Sequence, residues 1–213
     1  VIIRPHWMDW DSERLGLEWL KGLLDPYHFL TTFCYTLDQH DPINPIKLIP
    51  DKRYIKFLVR AWQKCPLLLV AKSRQMLVTW IFTSLHLWDA MTNRGRKNFY
   101  QSEKEEKADE LVQRSYFTWG KLPGKPYKPR AKYTYCRLRF PSMDSVIKGV
   151  PQGADAIVQE TASKIFSDEL ALQIEAEQGF IASKPTIDGG GSFTGVGTPR
   201  TATFFKRLVH DEQ

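Results

Sequence analysis

Leu67-Leu68-Leu69-Val70-Ala71-Lys72-Ser73-Arg74-Gln75-Met76-Leu77-Val78-Thr79 is the stretch that decides the fold. Its first five residues are continuously apolar, the pattern of a strand buried on both faces. A polar loop follows, and the apolar spacing from about residue 79 through 91 reads as a helix. A strand running through a loop into a helix presents unpaired backbone N–H groups and a helix N-terminus, which together suit a phosphate. The standard phosphate-binding pattern wants Gly at position 77 and Lys at 78, ahead of Thr79. Leu77 and Val78 stand there instead. By that pattern the loop fails, and an ordinary basic strand-to-helix loop is the plain alternative.

Outward from this loop the chain alternates. Upstream, Asp11 or Ser12 caps a helix running to Leu24, and Pro26 restarts the chain into a second helix over 27–37. The stretch 38–50, with three prolines, reads as a loop or subdomain boundary, and a third helix covers about 51–62. Downstream, strands are expected at 97–101, 133–140, 144–150, 164–167 and 193–197. Helices are expected at 103–119, 174–184 and 202–210, with Gly189-Gly190-Gly191 as a hinge-like break. Strands alternating with helices predict a mainly parallel, three-layer α/β sheet. Residues 1–48 read as an N-terminal helical segment and 49–213 as the core.

Two further motifs sit at strand ends. Lys164-Ile165-Phe166-Ser167-Asp168-Glu169 is a buried strand ending in two acids. Next to a phosphate site, one carboxylate serves the water shell of Mg²⁺ and the other polarises the attacking water. Elsewhere such a pair is simply solvated. Phe193-Thr194-Gly195-Val196-Gly197-Thr198-Pro199-Arg200 is a strand running into a Thr-Pro turn, which Gly and Pro would form in any case. Loop, acids and Thr198 follow one another in that order, each at a strand end, which is the ligand-binding edge of an open α/β sheet.

These residues resemble the N-terminal ATPase domain of the large terminase subunit of tailed phages. In that family the lysine often opens the loop in a Lys-Ser/Ala-Arg order, with Ser or Thr seven residues later. Lys72, Ser73, Arg74, Gln75 and Thr79, with Trp80 behind, fit that variant. The likeness covers roughly residues 45–205. It implies a P-loop NTPase fold of the helicase/RecA-like, additional-strand kind with a small N-terminal helical subdomain, and it implies ATP and Mg²⁺ as cofactors. Nucleotide contacts would fall on Lys72, Ser73, Arg74, Gln75, Met76, Leu77, Val78, Thr79 and Thr198. The metal would fall to Thr79 and Asp168, and catalysis to Glu169, Lys72 and Arg74.

The resemblance further implies a motor that packages double-stranded DNA into a procapsid in the host cytoplasm. Its implied partners are a portal protein, a small terminase subunit and other copies of the chain in a homo-oligomeric ring, with the isolated domain expected to be a monomer. Tyr54 or Arg60 would flank the adenine. Two departures stand out. Leu77 puts the loop conformation in question. The family usually has an Arg-Gly pair about ten residues before the Asp; here Val158 and Gln159 stand in its place, so no arginine finger carries over. The C-terminal nuclease that terminases usually add is not expected within this length. A helicase-like remodelling ATPase, or a P-loop module with a structural or binding role, are the alternatives.

Composition bounds the rest. The 213 residues, 42% of them hydrophobic, suffice for one sizeable core. No run is long and apolar enough for a membrane span. Three scattered cysteines follow no metal-ligand spacing and read as reduced thiols. The net charge of +6 is compatible with nucleic acid but also with many other proteins. Between Glu110 and Asp144 there is no acid, while Arg114, Lys121, Lys125, Lys128, Arg130, Lys132, Arg137 and Arg139 alternate with Tyr127, Tyr133 and Tyr135. Such a segment either tracks phosphates, with binding expected through Lys125, Lys128, Arg130 and Lys132, or is a solvated loop.

Overall fold

The structure, a computed structural model, describes residues 4–38, 40–73, 75–153, 157, 161–198 and 203–210. The deciding strand forms as β3 (Leu67–Ala71), after a short N-terminal hairpin of β1 (Tyr35–Leu37) and β2 (Ile46–Leu48). It belongs to a seven-stranded sheet with β4 (Lys97–Ser102), β5 (Lys132–Thr134), β6 (Arg137–Phe140), β7 (Ser145–Pro151), β8 (Lys164–Ser167) and β9 (Ser192–Gly197). The order across the sheet is β3-β9-β8-β4-β7-β6-β5. The first five strands run parallel, and β6 and then β5 are added by antiparallel pairing. The strand carrying the acids, β8, is thus separated from the loop strand by one additional strand, β9.

Alternation along the strands divides the interior into two cores, one on each face of the sheet. Tyr100, Phe166 and Val196 face a first core with Phe82 and Leu85 of α4 (Val78–Thr92) and Leu111 and Val112 of α5 (Glu105–Lys121). Their neighbours Phe99, Ile165 and Phe193 face a second core containing Phe205 of α7 (Phe204–His210), with Phe180 of α6 (Ala176–Asp188) packed against it. Gly190, at φ 88, supplies the left-handed residue just past the end of α6.

The N-terminal helices are α1 (Ser12–Leu24), capped by the Asp11 carboxylate on the Arg14 N–H, and α2 (Pro26–Phe33), capped by Asp25 on Tyr27. They share the first core through Trp19, Phe29 and Phe33, and Trp88 Nε1 of α4 donates to the Gly22 carbonyl at 2.8 Å. α3 (Arg53–Lys64) brings Ile55, Val59 and Trp62 into the same core.

The elements differ from the sequence expectation in three places. The second helix stops at Phe33, and Tyr35–Leu37 pairs antiparallel with Ile46–Leu48 inside the stretch read as a loop. The expected strand 133–140 breaks at Tyr135-Cys136, where Cys136 takes φ 55 and folds β5 back on β6. And β3, expected to be buried on both faces, pairs among the described residues only with β9, leaving Leu67 41% exposed. No described helix is long and apolar enough to cross a membrane.

Candidate functional site

The residues singled out in the sequence converge where β3, β9 and β8 end. Lys72 follows β3 directly, and its N–H donates to the Gly197 carbonyl at 3.0 Å, which ties the start of the loop to the end of β9. Thr198, half-buried, comes next after that strand. Gln75 and Leu77 both have positive φ, at 64° and 55°. Position 77 is where the standard pattern has glycine, so the loop adopts the left-handed turn without that residue. Holding a β-carbon there costs on the order of 1–2 kcal/mol, and packing of the half-buried Leu77 side chain against the first core offsets it. α4 then begins at Val78, with Thr79 in its first turn.

Two contacts join this loop to the acids. Lys72 Nζ donates to Glu169 Oε1 at 2.7 Å across 97 residues of sequence. Thr79 Oγ1 lies 3.2 Å from both oxygens of Asp168, 89 residues away. Asp168 is fixed by its own backbone, whose N–H donates to the Gln101 carbonyl of the neighbouring strand at 3.0 Å. Glu169 takes φ 50, and that left-handed residue turns the chain out of β8. Gln173 clamps the turn from behind: its buried amide donates to Ser167 Oγ and to the Asp168 carbonyl, each at 2.9 Å.

Burial dominates the electrostatics of Asp168. It pushes the carboxyl up to about 6, and the Glu169 charge adds to it, against the opposing pull of Lys72, Arg114 and the Thr79 hydroxyl. A buried carboxylate beside a hydroxyl oxygen is a donor set that suits a small hard cation such as Mg²⁺, which keeps several waters and takes one or two protein oxygens alongside phosphate. Among the described residues no cluster of three or more His, Cys, Asp or Glu offers a softer or fuller metal cage.

An open cleft of about 1200 Å³ lies over the loop. Lys72, Gln75, Met76 and Thr79 form its floor, the β1–β2 hairpin one wall, and a stripe of α5 another. On that stripe Arg114 places its guanidinium 5.3 Å from the centre of the Trp80 ring, and it makes no ion pair with a described residue. Tyr54 Oη donates to the Met76 carbonyl at 3.2 Å and so braces the loop, whereas Arg60 is exposed on α3 and does not line the cleft. Arg74, Val158 and Gln159 lie outside the described residues.

The site thus gains Arg114 and Gln173 over the sequence reading. Arg114 had a signal: Lys107, Glu110, Arg114 and Phe117 recur at helical spacing along one face, and all four line the cleft. Gln173 had none, because its role depends on a turn that the local pattern does not announce.

Part of the basic segment is committed to structure. Lys128 Nζ donates to the Trp119 and Leu122 carbonyls at the end of α5 and sits 4.1 Å from the Trp119 ring centre. Tyr116 is stacked between Trp119 and Tyr133, at interplanar angles of 11° and 13°. Tyr133 also donates its hydroxyl to Asp109, at 2.8–2.9 Å. Tyr116 thus has a ring on each face, whereas Tyr135 of the same segment is 56% exposed.

A parallel sheet whose loop strand and acidic strand flank an additional strand, with the loop leading into a helix, is the P-loop NTPase fold. Its particular form is that of phage large terminase ATPase domains. The ATPase domain of the Thermus phage P74-26 large terminase matches at a TM-score of 0.60 and 12% identity, over 74% of this chain and 69% of that one. The HK97 bacteriophage large terminase matches at 0.63 and 13%, over 86% of this chain and 39% of that one. The large terminase of a thermophilic bacteriophage matches at 0.60 and 14%, over 77% and 43%, and was also solved in complex with ADP. The chain therefore spans about two-fifths of the length of these last two proteins. No protein-family model and no curated protein matches the sequence.

Proposed function

We propose that the chain is a Mg²⁺-dependent ATPase that powers movement of double-stranded DNA into a viral procapsid, as the ATPase part of a large terminase. The observation that carries this reading is the double bridge of Lys72 to Glu169 and Thr79 to Asp168, which brings four groups of complementary chemistry to one sheet edge. Lys72 supplies the ammonium for the β- and γ-phosphates, and the N-terminal turn of α4 supplies backbone N–H groups. Thr79 and Asp168 would hold Mg²⁺, which when bound neutralises charge between the phosphates. Glu169, 38% exposed at its side chain, faces solvent enough to meet a water and accept its proton. With Lys72 engaged by phosphate instead of by Glu169, that carboxylate is free to act as the base. Thr198, at the end of β9, stands where a change at the loop reaches the strand beyond it.

The DNA partner, the ring of copies, the portal and small-subunit contacts and the host-cytoplasmic setting belong to the same proposal, supported by the terminase form of the fold. The test is Lys72→Ala against Lys64→Ala, a lysine at the end of α3. Lys72→Ala should abolish ATP turnover with the fold intact by circular dichroism, and Lys64→Ala should leave turnover near that of the parent. Equal turnover in Lys72→Ala and the parent would remove the lysine-first loop from the mechanism.

A further inference from the structure

The strand registers place four basic residues, Lys97, Lys132, Arg137 and Arg139, on one face toward the antiparallel edge of the sheet. Residues directly paired across strands point to the same side. Lys97 pairs with Val146, Val146 with Arg139, and Arg139 with Lys132, forming one row across β4, β7, β6 and β5. Arg137, two residues from Arg139, belongs to the next row with Thr134 and Lys148. The alternate residues Leu138, Phe140 and Ile147 are buried in the first core on the other side. Lys97, Lys132, Thr134 and Arg139 are exposed and Arg137 is half-buried. None of Lys97, Lys132, Arg137 and Arg139 makes an ion pair with a described residue.

We propose that this face is a docking surface for the phosphate backbone of duplex DNA. Its geometry suits a repeating anion: strands about 4.8 Å apart and residues about 6.7 Å apart along a strand spread the four cations over roughly 14 Å. Duplex DNA presents a charge about every 1.7 Å of axis, so each cation reaches a separate phosphate. Arg137 and Arg139 add planar forks that take phosphate oxygens in pairs. Lys132 stands directly across from Arg139, a like-charge pair that weakens a sheet unless an anion lies over it. A duplex fits better than a single strand because neither row holds an open ring for a base; Tyr135, 56% exposed, lies in the β5–β6 turn outside both rows. Phe99 is fully buried, with Lys148 Nζ 5.5 Å from its ring centre, and the stacked Tyr116, Trp119 and Tyr133 belong to the α5 side.

The assignment rests on the DNA-handling part of the proposed function and not on its ATPase part. The experiment is fluorescence anisotropy of a short labelled duplex with the full chain, without nucleotide, from about 50 to 200 mM salt. Changing Lys97, Lys132, Arg137 and Arg139 together to Gln should weaken binding at least tenfold at the lowest salt, and should flatten the log–log salt slope by about 0.9 for each phosphate no longer neutralised. Lys125→Gln with Arg130→Gln, in the loop before β5, should change the slope far less. Should the fourfold variant not fold, Arg139→Gln alone, at an exposed position, should flatten the slope by about the share of a single phosphate. An unchanged affinity and slope would overturn the proposal, as would a parent that binds no duplex. A fourfold variant that loses self-association in sedimentation while keeping its DNA affinity would also overturn it, assigning the face to contacts between copies. ATP turnover without DNA, read on the same proteins, should be unaffected. A parent without turnover would count against the ATPase reading and leave this surface standing.

Discussion

Asp168 is the residue at which folding and function pull apart. Its carboxylate is buried where the proposed function places a cation, and burial raises its pKa to about 6 from an ordinary 3.8. Between these values the folded state holds more protons than the unfolded one, so this group's contribution to stability falls as pH rises through that window. Above about pH 6 the ionised carboxylate leaves its full desolvation cost in the fold. Asp168→Asn keeps the shape and the Thr79 contact without the charge. It should stabilise the nucleotide-free protein at pH 7 by roughly 1–3 kcal/mol, and it should flatten the pH dependence of stability between about pH 4 and 6. Urea melts across that range check this, while Mg²⁺-dependent ATP binding by the same variant should be weakened. A destabilised Asn variant with an unchanged pH profile would mean that Asp168 serves the fold and not a metal.

At the scale of elements, α5 does three tasks at once. One face closes the first core, a second lines the cleft with Arg114, and its C-terminal end is held by Lys128, which donates to two of its last carbonyls. Hydrogen bonds from a charged donor contribute about 1.5–3 kcal/mol, so Lys128→Ala should lower stability by about that amount in a denaturant titration. Duplex affinity should change little, contrary to what the sequence suggests when Lys128 is counted among the phosphate contacts. The same element shows what the sequence could and could not disclose. Helical spacing located α5 to within two residues at each end, but which cation of a basic run faces solvent depends on the strands that fold back beside it. The β1–β2 hairpin stayed hidden for a related reason: Tyr35–Leu37 continues the apolar pattern of α2, and only pairing with Ile46–Leu48 makes it a strand. Lys72, Thr79, Asp168 and Glu169 were legible because each ends or follows a short apolar run, a local signal. Gln173 acquires its meaning only through the turn it clamps.

Over the whole molecule, the sheet separates two surfaces. The ends of β3, β9 and β8 gather the Lys72 loop and the acids, while the cationic face begins at β4, three strands from β3, and runs to β5 at the far edge of the sheet. Among the described residues, the sheet itself and α5, which packs on β4, β7 and β6 and also lines the cleft, connect the first to the second. All of this depends on the sheet edge at Lys72 and Glu169 being a site of hydrolysis. The most direct measurement is MgATP turnover at saturating ATP by the parent and by Glu169→Gln, with ATP binding measured on both. Glu169→Gln should bind ATP about as well as the parent and turn it over on the order of 10²–10⁴-fold more slowly, the usual loss on removing a positioned base. Turnover by Glu169→Gln at the parent's rate would contradict the account.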